Sequence, residues 1–141
     1  MIALGAASCS PFAWLSAGAQ TGLEDRISLD DARRLHDSGA AVLIDIREPN
    51  EHATGVVAGA RLLPMSQLNQ LIQLNQRIRE IAVDSKMPML LICRTQNRSS
   101  ATLRALRKQL GEQNYAHVRF VQGGMSEWAQ RGWPTVLPAK P

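Results

Sequence analysis

The chain has 141 residues, of which 45% are hydrophobic and 20% are charged, and its formal net charge is +4. These values are ordinary for one globular domain, and they exclude a collagen-like, disordered or multi-spanning chain. The positive charge is too small to predict nucleic-acid binding, although it favours small anions. The two cysteines, Cys9 and Cys93, belong to no C-x-x-C motif or Cys/His cluster, so we expect neither a metal nor a cofactor.

The first part of the chain has the composition of an export signal. Residues 2–19 carry no charge and end in the small residues Ala17-Gly18-Ala19. This stretch resembles the apolar region and cleavage site of a secretory leader, and it is too short and too interrupted to span a membrane. We therefore expect residues 1–19 to be a signal peptide and 20–26 a short extension. The mature protein would be periplasmic or otherwise exported, without a membrane span; the alternative is a cytoplasmic protein.

Strands and helices are predicted to alternate within one domain over residues 27–137. Apolar runs predict buried strands at 41–46, 60–63, 88–92 and 117–121. Spacing and end signals predict helices that run from Ser28 towards Gly39, over 66–83, from Arg98 or Ser99 to Gly111, and over 126–131. Residues 47–51 are predicted to form a polar loop with a proline stop. The alternation predicts an α/β domain with a mainly parallel sheet.

The most informative segment lies between the third predicted strand and the next helix. It reads Cys93-Arg94-Thr95-Gln96-Asn97-Arg98-Ser99. Ligands of open α/β sheets lie beyond the carboxyl ends of the strands, and Cys93 is at such an end. Backbone N–H groups of the loop and of the helix start would stabilise a thiolate there, and the thiolate is the nucleophilic form. We therefore expect Cys93 to be a nucleophile, with Arg94 and Arg98 placed to bind an anionic substrate.

This segment resembles the active-site signature of the rhodanese family, in which a cysteine is followed by four residues and then often by Arg and Ser or Thr. Residues 43–51 with Gly55 resemble the N-terminal motif of the family. Gly123-Gly124-Met125 with Trp128 resembles its C-terminal motif. The three motifs occur in order and together cover residues 27–136. The resemblance implies a rhodanese-like α/β fold with a five-stranded, mainly parallel sheet and helices on both faces.

The resemblance also implies a sulfurtransferase of the thiosulfate sulfurtransferase type. Cys93 would take a sulfane sulfur from a small anionic donor such as thiosulfate, and would pass it as a persulfide to cyanide, a thiol or a protein acceptor. Asp45 and Arg47 would form an ion pair that braces the active-site loop, and Met125 would line the pocket. Gln96 departs from the family pattern, which usually has glycine at this position.

Two other functions stay open at this point. Cysteine-dependent phosphatases and arsenate reductases on a related fold typically place five residues between their cysteine and arginine, whereas four separate Cys93 from Arg98. The smaller ring fits one sulfur atom better than a phosphoryl group. Non-catalytic binding modules on the same fold generally lack the cysteine, which this chain has. A scaffold or a sulfur-relay module with negligible turnover of its own stays open. Sulfur transfer is therefore the function that the sequence favours.

Overall fold

The structure is a computed structural model that describes residues 25–68, 71–81 and 87–139. The predicted signal peptide lies outside these residues, as does the predicted end of the second helix near Val83. No helix within the described residues is long and apolar enough to cross a membrane.

Five parallel strands form one sheet in the order β1-β5-β4-β2-β3, which confirms the predicted parallel α/β sheet. The strands are β1 (Arg26–Ile27), β2 (Val42–Asp45), β3 (Arg61–Leu62), β4 (Met89–Ile92) and β5 (Val118–Val121). All four residues of β4 are buried, because neighbouring strands flank it and both faces of the sheet are covered. The two-residue β1 was not predicted from the pattern of apolar residues.

Helices cover both faces of the sheet. They are α1 (Leu29–Asp37), α2 (Pro49–His52), α3 (Leu71–Ile81), α4 (Asn97–Leu110) and α5 (Gly124–Gln130). Alternate strand residues point to opposite faces, so Leu43 and Leu90 pack with α1 and α5, whereas Ile44 and Leu91 pack with α3 and α4. This arrangement leaves the carboxyl ends of the strands at one edge of the sheet, where Asp45 and Ile92 lie side by side in register.

The helix limits confirm some predictions and correct others. The hydroxyl of Ser28 accepts a hydrogen bond from the N–H of Asp31 and so caps α1, as predicted. The predicted 66–83 helix is wrong at its start: Met65–Gln67 form a 3₁₀ turn, in which the N–H of Ser66 donates to Glu48 Oε1, and the α-helix is described over Leu71–Ile81.

The segment around Pro49 also differs from its prediction as a polar loop. Proline begins α2 instead of stopping a loop, because its fixed φ angle suits the first turn of a helix. The side chains and backbone N–H groups of Glu48 and Glu51 exchange hydrogen bonds in a capping box that stabilises the turn.

Candidate active site

Cys93 directly follows β4, at the carboxyl edge of the sheet. Its side chain is fully buried, and its sulfur lies 3.4 Å from the hydroxyl of Ser99. Ser99 belongs to the first turn of α4, which begins at Asn97, one residue before the predicted start. The nucleophile and the helix start that the sequence predicted are therefore brought together by a loop of only three residues.

A cleft of about 640 Å³ opens at the same edge of the sheet. It is lined by Arg47, Glu48, Asn50, Glu51, Thr54, Arg94, Arg98, Met125 and Ser126. Four of the residues expected at the site are in this set, namely Arg47, Arg94, Arg98 and Met125. Sequence reasoning missed the others, which come mainly from α2 and its flanks, because that segment was predicted to be a loop without a role.

The guanidinium of Arg98 is engaged by a carboxylate. Its two terminal nitrogens donate to the two oxygens of Glu51, each at 2.7 Å. The hydrogen bond from Arg98 lowers the pKa of Glu51 to about 2, and the same bond raises the pKa of Arg98 further. Arg98 was expected to bind substrate directly, but in this structure its charge is compensated by Glu51.

Arg94 differs from Arg98 in its surroundings. It is exposed, it lines the cleft, and its side chain forms no hydrogen bond or ion pair with another residue in the described part of the chain. Its guanidinium is thus available to an anion that enters the cleft, and a guanidinium can hold an oxyanion with two parallel hydrogen bonds.

Asp45 and Arg47 form a buried ion pair where β2 ends. Nε and Nη2 of Arg47 donate to the Asp45 carboxylate at 3.0 and 2.7 Å, and Nη2 also donates to the carbonyl of Gly55 at 2.9 Å. The imidazole of His52, which the sequence did not single out, lies 3.3 Å from the same carboxylate. These contacts hold α2 against the strand end and so place Glu51 opposite Arg98.

The start of α5 packs against the backbone of the loop that follows Cys93. The N–H groups of Met125 and Ser126 donate to the carbonyls of Cys93 and Arg94 at 2.9 and 2.8 Å. Gly124 has a φ of +62°, and a Cβ atom there would lie 2.3 Å from the carbonyl oxygen of Thr95. Only glycine fits this position, so the Gly-Gly pair that was predicted to be a turn also allows the close contact.

Gln96 occupies the position where glycine is usual in the family that the sequence resembles. Its φ of −168° is an extended value that suits any residue. Its side-chain carbonyl accepts a hydrogen bond from the N–H of Gly123 at 3.1 Å, and its backbone carbonyl accepts one from the hydroxyl of Ser99 at 3.1 Å. Thr95 and Asn97 are exposed, and the Thr95 hydroxyl accepts from the N–H of Asn97.

Comparison with known protein families gives one match that covers most of the chain. Residues 28–131 match the family model described as a rhodanese-like domain. A protein from Allochromatium vinosum named "Sulfurtransferase" is 35% identical over 107 residues, which are 76% of this chain and 89% of that protein. The uncharacterized protein YqhL of Bacillus subtilis is 39% identical over 88 residues, which are 62% of this chain, and the match spans only 60% of the length of YqhL.

Solved structures show the same architecture. The human single-domain sulfurtransferase TSTD1 superposes with a TM-score of 0.56 at 26% sequence identity. The match covers 76% of this chain and 96% of the human one. The fold of this chain is thus shared by a protein named as a sulfurtransferase.

Proposed function

Since this chain belongs to the rhodanese-like domain family, we propose that it is a thiosulfate sulfurtransferase that works through a persulfide on Cys93. The observation that carries the proposal is the position of Cys93 between the carboxyl end of β4 and the amino end of α4, beside a cleft that contains Arg94, whose side chain has no partner among the described residues. The sulfurtransferase names of relatives support the same chemistry.

The proposed reaction has two displacement steps. In the first, the Cys93 thiolate attacks the sulfane sulfur of thiosulfate; the new bond forms as the S–S bond of thiosulfate breaks, and sulfite leaves with its electron pair. In the second, cyanide or a thiolate attacks the outer sulfur of the persulfide, the S–S bond to Cys93 breaks, and the thiolate is restored. Atoms and electrons balance in both steps without a further reactant.

The backbone around Cys93 is arranged to stabilise a negative charge on its sulfur. Among the described residues, none accepts a hydrogen bond from the N–H groups of Arg94, Thr95 or Gln96. Helix α4 has 14 residues and no acidic residue in its first turn, so the partial positive charge at its start is not neutralised by its own side chains. These groups favour a thiolate before the reaction and a persulfide anion after it.

Arg94 is the residue that we assign to donor binding. Arg98 is already held by Glu51, whereas Arg94 is exposed at the cleft and has no partner for its side chain within the described residues. We propose that Arg94 binds the sulfonate oxygens of thiosulfate and that Arg98 and Glu51 shape the cleft. The buried Asp45–Arg47 pair then acts indirectly, by holding α2 in place, and Met125 forms part of the cleft wall.

The experiment that tests this function is a steady-state assay of thiocyanate formation from thiosulfate and cyanide, with p-nitrophenyl phosphate hydrolysis measured on the same preparation. Sulfur transfer that is lost in Cys93→Ser and kept in Cys9→Ser is the expected result. Phosphatase turnover without thiocyanate formation would contradict the proposal and favour the phosphatase alternative. Neither activity, together with no reaction of Cys93 with thiosulfate, would favour a binding module.

A further inference from the structure

Gln96 makes a contact that no other side chain of the active-site loop makes. It sits at the position just before α4, yet its side chain does not cap that helix. Instead, its amide oxygen accepts a hydrogen bond from the backbone N–H of Gly123, which is 27 positions further along the chain. A glycine in its place could not form this bond.

The bond from Gln96 adds to a set of backbone contacts between the loop and α5. The carbonyls of Cys93 and Arg94 accept hydrogen bonds from the start of α5, and Gly124 lies against the carbonyls of residues 93–95. Among these contacts, only the one from Gln96 is made by a side chain. It is therefore the one that a substitution can remove without altering any backbone hydrogen-bonding group.

Gln96 is also linked to Cys93 through Ser99. The hydroxyl of Ser99 lies 3.1 Å from the backbone carbonyl of Gln96 and 3.4 Å from the sulfur of Cys93. This hydroxyl has a single proton, which it can donate to the carbonyl or to an anionic sulfur. Through this hydrogen bond, the position of the Gln96 backbone carbonyl affects how the Ser99 hydroxyl is oriented towards the sulfur of Cys93.

We propose that Gln96 is a positioning residue for sulfur transfer: its side chain fastens the loop to the start of α5 and thereby keeps the hydroxyl of Ser99 beside Cys93. The inference rests on the function proposed above. The family usually has glycine at this position, and glycine leaves the loop backbone more conformational freedom. In this chain the hydrogen bond from Gly123 to the Gln96 side chain restricts the loop to one position, which is the role that we assign to Gln96.

The test compares three variants of the full chain. Gln96→Met keeps the length of the side chain and removes the acceptor, Gln96→Asn keeps the amide on a side chain one methylene too short to reach Gly123, and Gln130→Met alters an exposed glutamine at the far end of α5. Two measurements are made on each variant. One is the rate of sulfur uptake from thiosulfate in a single turnover, and the other is the pH profile of Cys93 alkylation by the neutral reagent iodoacetamide, read from the mass of the Cys93 peptide.

We expect Gln96→Met to take up sulfur about 2- to 12-fold more slowly, the factor that corresponds to one neutral hydrogen bond. Its alkylation profile should move to higher pH, since Ser99 is then less often within reach of the thiolate. Gln96→Asn should show the same displacement, and Gln130→Met should match the wild type in both measurements. A Gln96→Met profile that equals that of the wild type would overturn the proposal, as would a Gln96→Asn profile that equals it.

The outcomes separate this inference from the proposed function. If the wild type takes up no sulfur, the proposed function fails, and the alkylation profiles still report whether Gln96 positions the thiol. If Gln96→Met does not fold, as judged by thermal unfolding, Gln96→Asn carries the test alone. The same displacement of the profile is then expected, and its absence overturns the inference.

Discussion

Replacing Glu51 with glutamine tests how charge is arranged in the cleft. The carboxylate makes two 2.7 Å hydrogen bonds with Arg98, and the two side chains are 23% and 40% exposed. Charge-assisted hydrogen bonds contribute about 1.5–3 kcal/mol, whereas solvent-exposed ion pairs contribute about 0–1 kcal/mol. Because this pair is partly open to solvent, we expect Glu51→Gln to lower the free energy of unfolding by about 1 kcal/mol.

The pH dependence of that loss has a definite sign. Arg98 lowers the pKa of Glu51 from 4.5 to about 2 in the folded protein. A carboxyl whose pKa is lower in the folded state stabilises the fold above its unfolded pKa, and this contribution disappears as the pH falls through the folded value. The stability difference between the wild type and Glu51→Gln should be complete above pH 4.5 and should vanish towards pH 2. Urea unfolding across this range measures it.

The same substitution should improve the use of thiosulfate. Without the carboxylate, Arg98 and Arg94 both present uncompensated positive charge to the cleft. If the Glu51 carboxylate and the bound thiosulfate are about 8 Å apart and the effective dielectric constant is about 40, removing the charge of Glu51 stabilises the bound anion by ~1 kcal/mol. This free energy corresponds to a change of about fivefold in KM. We expect KM for thiosulfate to fall by about this factor while kcat is unchanged.

A matched control is Glu80→Gln, which breaks the Arg77–Glu80 pair on α3. This residue does not line the cleft, so its loss should alter stability slightly and KM not at all. A KM that is unchanged or higher in Glu51→Gln, with a reduced kcat, would refute the reasoning. The Glu51–Arg98 pair would then hold the loop in its reactive geometry, and its effect on the charge of the cleft would be secondary.

Three further predictions follow from the site and from the sequence. Arg94→Ala should raise KM for thiosulfate about 10-fold with little change in kcat, as measured in the thiocyanate assay, since one exposed charge-assisted hydrogen bond is lost and such a bond is worth about 1.5 kcal/mol at the lower end of its range. Gly124→Ala should lower the free energy of unfolding in urea by more than about 2 kcal/mol, because the new Cβ would clash with three backbone carbonyl oxygens. Gly39→Ala is the control: it has a similar φ of +74° but open space around the Cβ, and it should lower the free energy of unfolding by about 1 kcal/mol. N-terminal sequencing of native material should begin near Gln20, and an intact N-terminus would contradict export.

The parts of the fold that could be predicted are those specified by neighbouring residues. β4 is an unbroken apolar run, α1 has its cap at Ser28, and Cys93 with the start of α4 is one contiguous segment. Strand β1 has only two residues, which is too short to show a period. The start of α2 could have been found, since Glu48 and Glu51 have the spacing of a capping box around proline.

The arrangement of charge within the site could not be predicted. Arg98 and Glu51 are 47 positions apart, and their contact depends on how α2 packs beside β2. The sequence alone therefore predicted two arginines free to bind substrate, whereas in the described part of the chain Arg98 is paired with Glu51 and Arg94 has no partner. The contact between Gln96 and Gly123 depends on tertiary packing in the same way.

The most direct test of the central claim is the intact mass of the protein before and after incubation with thiosulfate. If Cys93 carries the transferred sulfur, the mass should rise by that of one sulfur atom, cyanide should return it to the starting value, and peptide mapping should place the added sulfur on Cys93. The Cys9→Ser variant should behave in the same way. Sulfur loading that persists in Cys93→Ser, or a wild type whose mass does not change, would contradict the mechanism.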